Sequence, residues 1–158
     1  MNCVQKPENR LQGTVLIVDD TPDDLRLTQS VVAAVCPQLC IRSVTSGEEL
    51  ICYLKGENCF SNRSDFPYPI LVLLDLRMPG MHGFEVLRWL RNHPPHNALA
   101  VVALTVSGES QIVQQAYELG ARSFLTKPIK GNEFKETMTK LPEWNTPKPA
   151  PSRRAREQ

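Results

Sequence analysis

The stretch VLIVDD, residues 15–20, decides the fold: it is a run of β-branched and leucine residues that ends on two adjacent aspartates. A strand with one wet face alternates apolar and polar side chains, whereas a strand covered on both faces is apolar throughout, and this run is of the second kind. Four more short runs follow, at residues 41–44, 70–74, 100–104 and 123–125. The one at 41–44 alternates, which marks it as an edge strand. Between the runs, apolar residues recur at helical spacing. Leu25, Thr28, Val32 and Val35 line a first helix, Ser46 and Glu49 form a capping box for a second with Leu50 and Leu54 inward, and Phe84, Leu87 and Leu90 mark a third. Ile112, Val113, Ala116 and Leu119 make a fourth that stops at Gly120, and Phe134, Met138 and Leu141 make a fifth. This alternation predicts an α/β domain, a doubly wound five-stranded parallel sheet.

The chain has 158 residues, 18 of them Lys or Arg and 17 Asp or Glu, for a net charge of +1. Its length suits one domain, and its charge balance offers no broad attraction for nucleic acid or an anionic membrane. The longest apolar run, residues 98–104, is far shorter than the ~20 residues of a membrane-spanning helix, and residues 1–10 hold no apolar signal core. These features predict a cytoplasmic protein with no nucleic-acid or membrane partner. The cysteines (Cys3, Cys36, Cys40, Cys52 and Cys59) are odd in number and lack CxxC pairing, so they read as reduced thiols, not as a disulfide framework or zinc site.

The domain is expected to occupy residues 13–141, after an N-terminal extension at 1–12. Pro142, Pro147, Pro149 and Pro151, with Lys148, Arg153, Arg154 and Arg156, make 142–158 a Pro-rich basic tail, expected to be disordered. The polar and aromatic connection at 56–69 reads as a surface insertion before the third strand. His93 and His96, around Pro94 and Pro95, read as loop residues in preference to metal ligands, and Trp89 and Trp144 as packing residues.

The chemistry lies in how the runs end. The first ends in Asp19 and Asp20, the third in Asp75, the fourth in Thr105, and the fifth runs into Thr126, Lys127 and Pro128. In a parallel sheet all carboxyl ends share one edge, where open α/β folds bind ligands. Three carboxylates there repel one another by roughly 4 kcal/mol per pair at ~4 Å and an effective dielectric constant of ~20. They need a cation or a shared proton, and with no His or Cys at these ends a hard, oxygen-preferring ion points to Mg²⁺ instead of zinc. A carboxylate nucleophile, a metal, the Lys127 ammonium and the Thr105 hydroxyl form a set suited to holding a transferring phosphoryl group.

VLIVDD at 15–20, LLDLRMPGMHG at 73–83, ALT at 103–105 and GARSFLTKP at 120–128 together resemble the response-regulator receiver domain. The resemblance implies a flavodoxin-like fold with strand order 2-1-3-4-5. It implies that Asp75 accepts a phosphoryl group from a sensor histidine kinase or a histidine phosphotransfer protein of a bacterial two-component system. Asp20 and Asp75 would ligate Mg²⁺ directly, Asp19 partly through water, and the Arg77 backbone carbonyl would add a ligand. Lys127 would pair with the phosphoryl oxygens, its bond to Pro128 would be cis, and Thr105 and Phe124 would be the switch residues. Such a protein is a self-limiting phospho-acceptor, not an enzyme. It would signal to a downstream protein target through its fourth helix, fifth strand and fifth helix, as a monomer or a phosphorylation-dependent homodimer. DFPYP at 65–69, DLRLTQ at 24–29 and the short tail are similar to single-domain regulators of the phytochrome-associated type, which implies a stand-alone regulator.

Several positions depart from the family pattern. Val106 stands where the family has a smaller residue, which implies narrowed access to the phosphoryl group and slower hydrolysis. Arg77 and Ser107 occupy positions that tune phosphate lifetime, and His82 replaces an acidic or amide residue. Two rival readings fit less well. An aspartate-nucleophile phosphatase would space its paired aspartates by one residue, and an FMN carrier would not place DDTPDD, residues 19–24, at its phosphate loop.

Overall fold

The computed structural model describes residues 13–141. Five strands, β1 (Thr14–Val18), β2 (Cys40–Val44), β3 (Leu71–Asp75), β4 (Ala100–Thr105) and β5 (Ser123–Thr126), alternate with helices α1 (Pro22–Val35), α2 (Gly47–Lys55), α3 (Gly83–Asn92), α4 (Ser110–Glu118) and α5 (Gly131–Lys140). All pairings are parallel and the sheet order is β2-β1-β3-β4-β5. The doubly wound, flavodoxin-like architecture is therefore as expected, with β2 at one edge.

Unbroken apolar runs make sense because both faces of the sheet are covered. Leu16, Val18, Val72, Leu74, Val101 and Ala103 point to one side and pack with residues of α2, α3 and α4. Val15, Ile17, Leu71, Leu73, Val102 and Leu104 point to the other, against Val32 of α1 and Phe134 and Met138 of α5. Neighbours in sequence thus serve opposite cores, the period-two geometry of a strand.

Helix ends follow local chemistry. Ser46 Oγ accepts from the Glu49 N–H at 3.1 Å, one half of the expected capping box. The other half is shifted: the Glu49 carboxylate reaches back to the Thr45 N–H at 3.1 Å instead of to Ser46. Gly120, at φ 105°, ends α4 in the left-handed region. Its N–H donates to the Tyr117 carbonyl and that of Ala121 to the Ala116 carbonyl, the paired bonds of a Schellman turn.

The 56–69 insertion is built into the domain. Arg63 donates to the Tyr53 and Leu54 carbonyls at the end of α2, both at 2.8 Å. Phe60 and Phe66 pack on the buried Tyr53 ring at centroid distances of 5.1 and 5.9 Å. Beyond the third helix, His93 stacks on Trp89 at 4.2 Å and the His96 Nδ1 pairs with the Tyr68 hydroxyl at 2.7 Å, so both histidines are engaged in ring contacts. Cys36, Cys40, Cys52 and Cys59 are free thiols. Among the described residues no helix is long and apolar enough to cross a membrane. The readings made for 1–12 and 142–158, Cys3 and Trp144 included, lie outside the described residues.

Candidate functional site

The carboxyl ends of β1, β3 and β4 share one construction. Asp19 Oδ1 accepts from the Thr21 N–H at 3.0 Å, Asp75 Oδ1 from the Arg77 N–H at 3.0 Å, and Thr105 Oγ1 from the Ser107 N–H at 3.1 Å. Each strand-end side chain holds the amide two residues on, the local bond that Asp and Thr offer when a chain leaves regular structure. This bond turns the chain away from the sheet and fixes the side chain that makes it. In both aspartates it occupies one oxygen and leaves Oδ2 free to face inward.

Lys127, just past β5, receives those second oxygens. Its Nζ lies 2.6 Å from Asp19 Oδ2 and 3.1 Å from Asp75 Oδ2, with its side chain 8% exposed. Its own N–H donates to the Thr105 carbonyl at 2.7 Å, and its bond to Pro128 is cis. Gly83, at the start of α3, closes the loop after β3. A Cβ there would come within 2.6 Å of the Leu76 Cα and 2.8 Å of the Asp75 carbonyl oxygen, so the helix can approach the strand end only without a side chain.

Asp19 is fully buried, Asp75 is 5% exposed and Thr105 2%. Burial pushes the Asp75 carboxyl up to about 6, against the opposing pull of the Arg77 N–H and Lys127 and with a further push from Asp19. Burial also works to lower the Lys127 ammonium, but the Asp19 and Asp75 carboxylates outweigh it and hold the group above its ordinary value. Asp19, Asp20 and Asp75 each offer a carboxylate oxygen within 4.8 Å of the others. Asp19 Oδ2 meets the ammonium as an ion pair and has no further partner. A buried oxygen short of partners, in a set made entirely of carboxylates, fits a hard divalent cation.

Residues 15–139 match the family model of the response regulator receiver domain. The chain belongs to that family. The receiver is 32% identical over 127 residues to the cyclic di-GMP phosphodiesterase response regulator RpfG of Xanthomonas campestris, covering 80% of this chain but 31% of that protein. It therefore spans less than a third of that relative's length. To the response regulator Rcp1 of Synechocystis it is 32% identical over 120 residues, covering 76% of this chain and 80% of Rcp1. The solved Mn²⁺-bound form of Rcp1 superposes with a TM-score of 0.65 at 28% identity, over 78% of this chain and 87% of that one. A response regulator in red light signaling of R. palustris gives a TM-score of 0.70 at 35% identity, over 79% and 87%.

The fold thus brings Asp19, Asp20, Asp75 and Lys127 of the receiver together. It treats the remaining expected residues differently. Thr105 lies at the same edge, but its hydroxyl donates to the Ser107 carbonyl at 2.8 Å and closes its own turn. Phe124 is half-buried and meets Tyr117 of α4 edge to face, 6.3 Å away. The Arg77 side chain is exposed while its N–H orients Asp75. Val106 is 56% exposed. Sequence reasoning missed Asp24, in the first turn of α1, whose Oδ2 accepts from Lys127 Nζ at 3.2 Å. Its position in DDTPDD, one turn into a helix that starts at the site edge, was the available signal.

Proposed function

We propose that the protein is a phosphorylation-driven signalling switch in which Asp75 is the phospho-acceptor. The single observation that carries this is the three-carboxylate cluster with the Lys127 ammonium 3.1 Å from Asp75 Oδ2. The phosphoryl group would come from the phosphohistidine of a sensor histidine kinase or a phosphotransfer protein. An Asp75 oxygen attacks phosphorus, the P–N bond breaks, and the imidazole leaves with its electron pair and takes up a proton. Asp75 is held for this by the Arg77 N–H, which fixes its other oxygen. Lys127 neutralises charge that builds on the phosphoryl oxygens. Asp19, Asp20, Asp75 and the Arg77 carbonyl would hold Mg²⁺, which when bound offsets the negative charge of the carboxylates and the phosphoryl group.

After transfer the Asp75 side chain carries nearer −2 than −1, a local change able to bias a packed element. Thr105 gives up the Ser107 carbonyl to donate to the new oxygen, and Phe124, leaning on Tyr117, follows it inward. The changed surface of α4, β5 and α5 then binds a downstream protein target or a second copy of the chain. Hydrolysis of the aspartyl phosphate returns the protein to its starting state in the cytoplasm.

The test is incubation with Mg²⁺ and acetyl phosphate, followed by intact mass on the wild type and Asp75→Asn. The wild type gains one phosphoryl group and the variant none. An unlabelled wild type under conditions that label another receiver, or an equally labelled variant, overturns the reading.

A further inference from the structure

Lys127 has a third carboxylate partner from outside the predicted metal cluster. Its ammonium faces Asp19 at the end of β1, Asp75 at the end of β3 and Asp24 in the first turn of α1. The ammonium has three protons to share among these three carboxylates, and its contact with Asp24 is an aligned hydrogen bond at 3.2 Å. The oxygens of Asp19 and Asp75 lie deep in the site, and both residues belong to the group able to share a cation. Asp24 is not in that group, and its side chain is 40% exposed. Asp19 and Asp75 would be shared between a cation and Lys127, whereas Asp24 would serve Lys127 alone.

Resting on the phospho-acceptor reading above, we propose that Asp24 is a positioning residue. It holds the Lys127 ammonium in the unphosphorylated protein and competes with the incoming phosphoryl group for it. When an Asp75 oxygen attacks phosphorus and the P–N bond of a phosphohistidine, or the P–O bond of acetyl phosphate, breaks with its electron pair on the leaving group, Lys127 must turn one proton to a phosphoryl oxygen. Of its three contacts, the one to Asp24 is the least costly to give up, because water reaches that carboxylate and can replace the lost bond. Until then, Asp24 also keeps a negative charge beside the path of an anionic donor.

Asp23 supplies the control. It precedes Asp24 in the same helical turn and carries the same charge, but its side chain is 90% exposed and its partner is Arg26 at 3.9 Å. Removing either acid costs α1 the same favourable first-turn charge. Only Asp24→Asn takes a carboxylate from Lys127, which keeps Asp19 and Asp75.

The experiment measures phosphorylation of the full chain by acetyl phosphate across donor concentration, and separately the binding of beryllofluoride with Mg²⁺ by calorimetry. Wild type, Asp24→Asn, Asp24→Glu and Asp23→Asn are compared. Asp24→Asn is expected to lower the half-saturating donor concentration and tighten beryllofluoride roughly two- to fivefold, the scale of a half-exposed ion pair, with little change in the rate at saturation. Asp24→Glu, which keeps the charge within reach, should return toward wild type, and Asp23→Asn should match wild type. Equal shifts in Asp23→Asn and Asp24→Asn, or no shift in Asp24→Asn while the wild type is labelled, overturn the Asp24 role alone. A wild type that takes up no phosphoryl group overturns the Asp75 reading as well.

Discussion

Arg63 closes the end of the second helix: its guanidinium donates to the Tyr53 carbonyl through Nη1 and to the Leu54 carbonyl through Nη2, both at 2.8 Å. The last carbonyls of a helix have no partner within it, and a forked cation is well shaped to supply one. Gly56, at φ 67°, lets the guanidinium come close, since a Cβ there would meet Arg63 Nη2 at 2.8 Å. Arg63→Ala should therefore lower stability by about 2 kcal/mol, near the value of charge-assisted hydrogen bonds, and Arg63→Lys should recover less than half because it cannot fork. Denaturant melts of the three proteins decide it; a Lys variant as stable as wild type would refute the fork.

The buried Asp75 makes stability depend on pH. Its carboxyl is pushed from 3.8 to about 6 in the folded protein by burial, opposed by the Arg77 N–H and Lys127. Between pH 4 and 6 the unfolded chain has ionised while the folded one still holds the proton, so raising pH through this window removes stability. The full loss above the folded value is about 3 kcal/mol. In chelator at pH 7.5, Asp75→Asn should melt above wild type, and the gap should close as the pH falls toward 4. Mg²⁺ should raise the wild-type melting temperature at pH 7.5 and leave Asp75→Asn nearly unmoved. A gap that ignores pH would show that Asp75 is not the titrating group.

Much of this arrangement was legible in the chain. Each of the apolar runs became a strand, and the polar residues that end them lie at one edge because parallel strands all point the same way. Boundaries moved by a residue: ladder pairing carries β3 on to Asp75, opposite Leu104, and begins at Leu71, leaving Ile70 outside.

Val106 stands 56% exposed directly after the buried Thr105. With Asp75 as the proposed phospho-acceptor, an apolar side chain beside Thr105 would hinder the water that hydrolyses the aspartyl phosphate. Val106→Ala should shorten the phosphate lifetime roughly two- to tenfold, the range of a change of about 0.5–1.4 kcal/mol in the barrier. Decay of the phosphorylated form followed by intact mass checks it, and equal lifetimes would remove Val106 from the gate.

Tyr117 and Phe124 cross at 88°, with Tyr117 45% exposed. If the Phe124 ring moves on phosphorylation, Tyr117 loses its edge contact. Fluorotyrosine incorporated at Tyr117 should then shift its ¹⁹F resonance on adding beryllofluoride and Mg²⁺, and Phe124→Leu should abolish the shift. A shift that survives the substitution would place its origin elsewhere on α4.

The elements, their alternation and the residues at the strand ends could be read from the chain alone. These are local matters of hydrophobic period and of side chains that bind the amide two residues on, as Asp19, Asp75 and Thr105 all do. What each strand-end group faces depends on the packing of distant segments. Lys127 and Asp24 are 103 residues apart, and nothing in either local pattern pairs them. The Thr105 hydroxyl could face Asp75 or its own turn, and it takes the Ser107 carbonyl. A side chain with several partners in reach settles on the set that leaves fewest buried charges unmet, and that set exists only once distant segments have packed together.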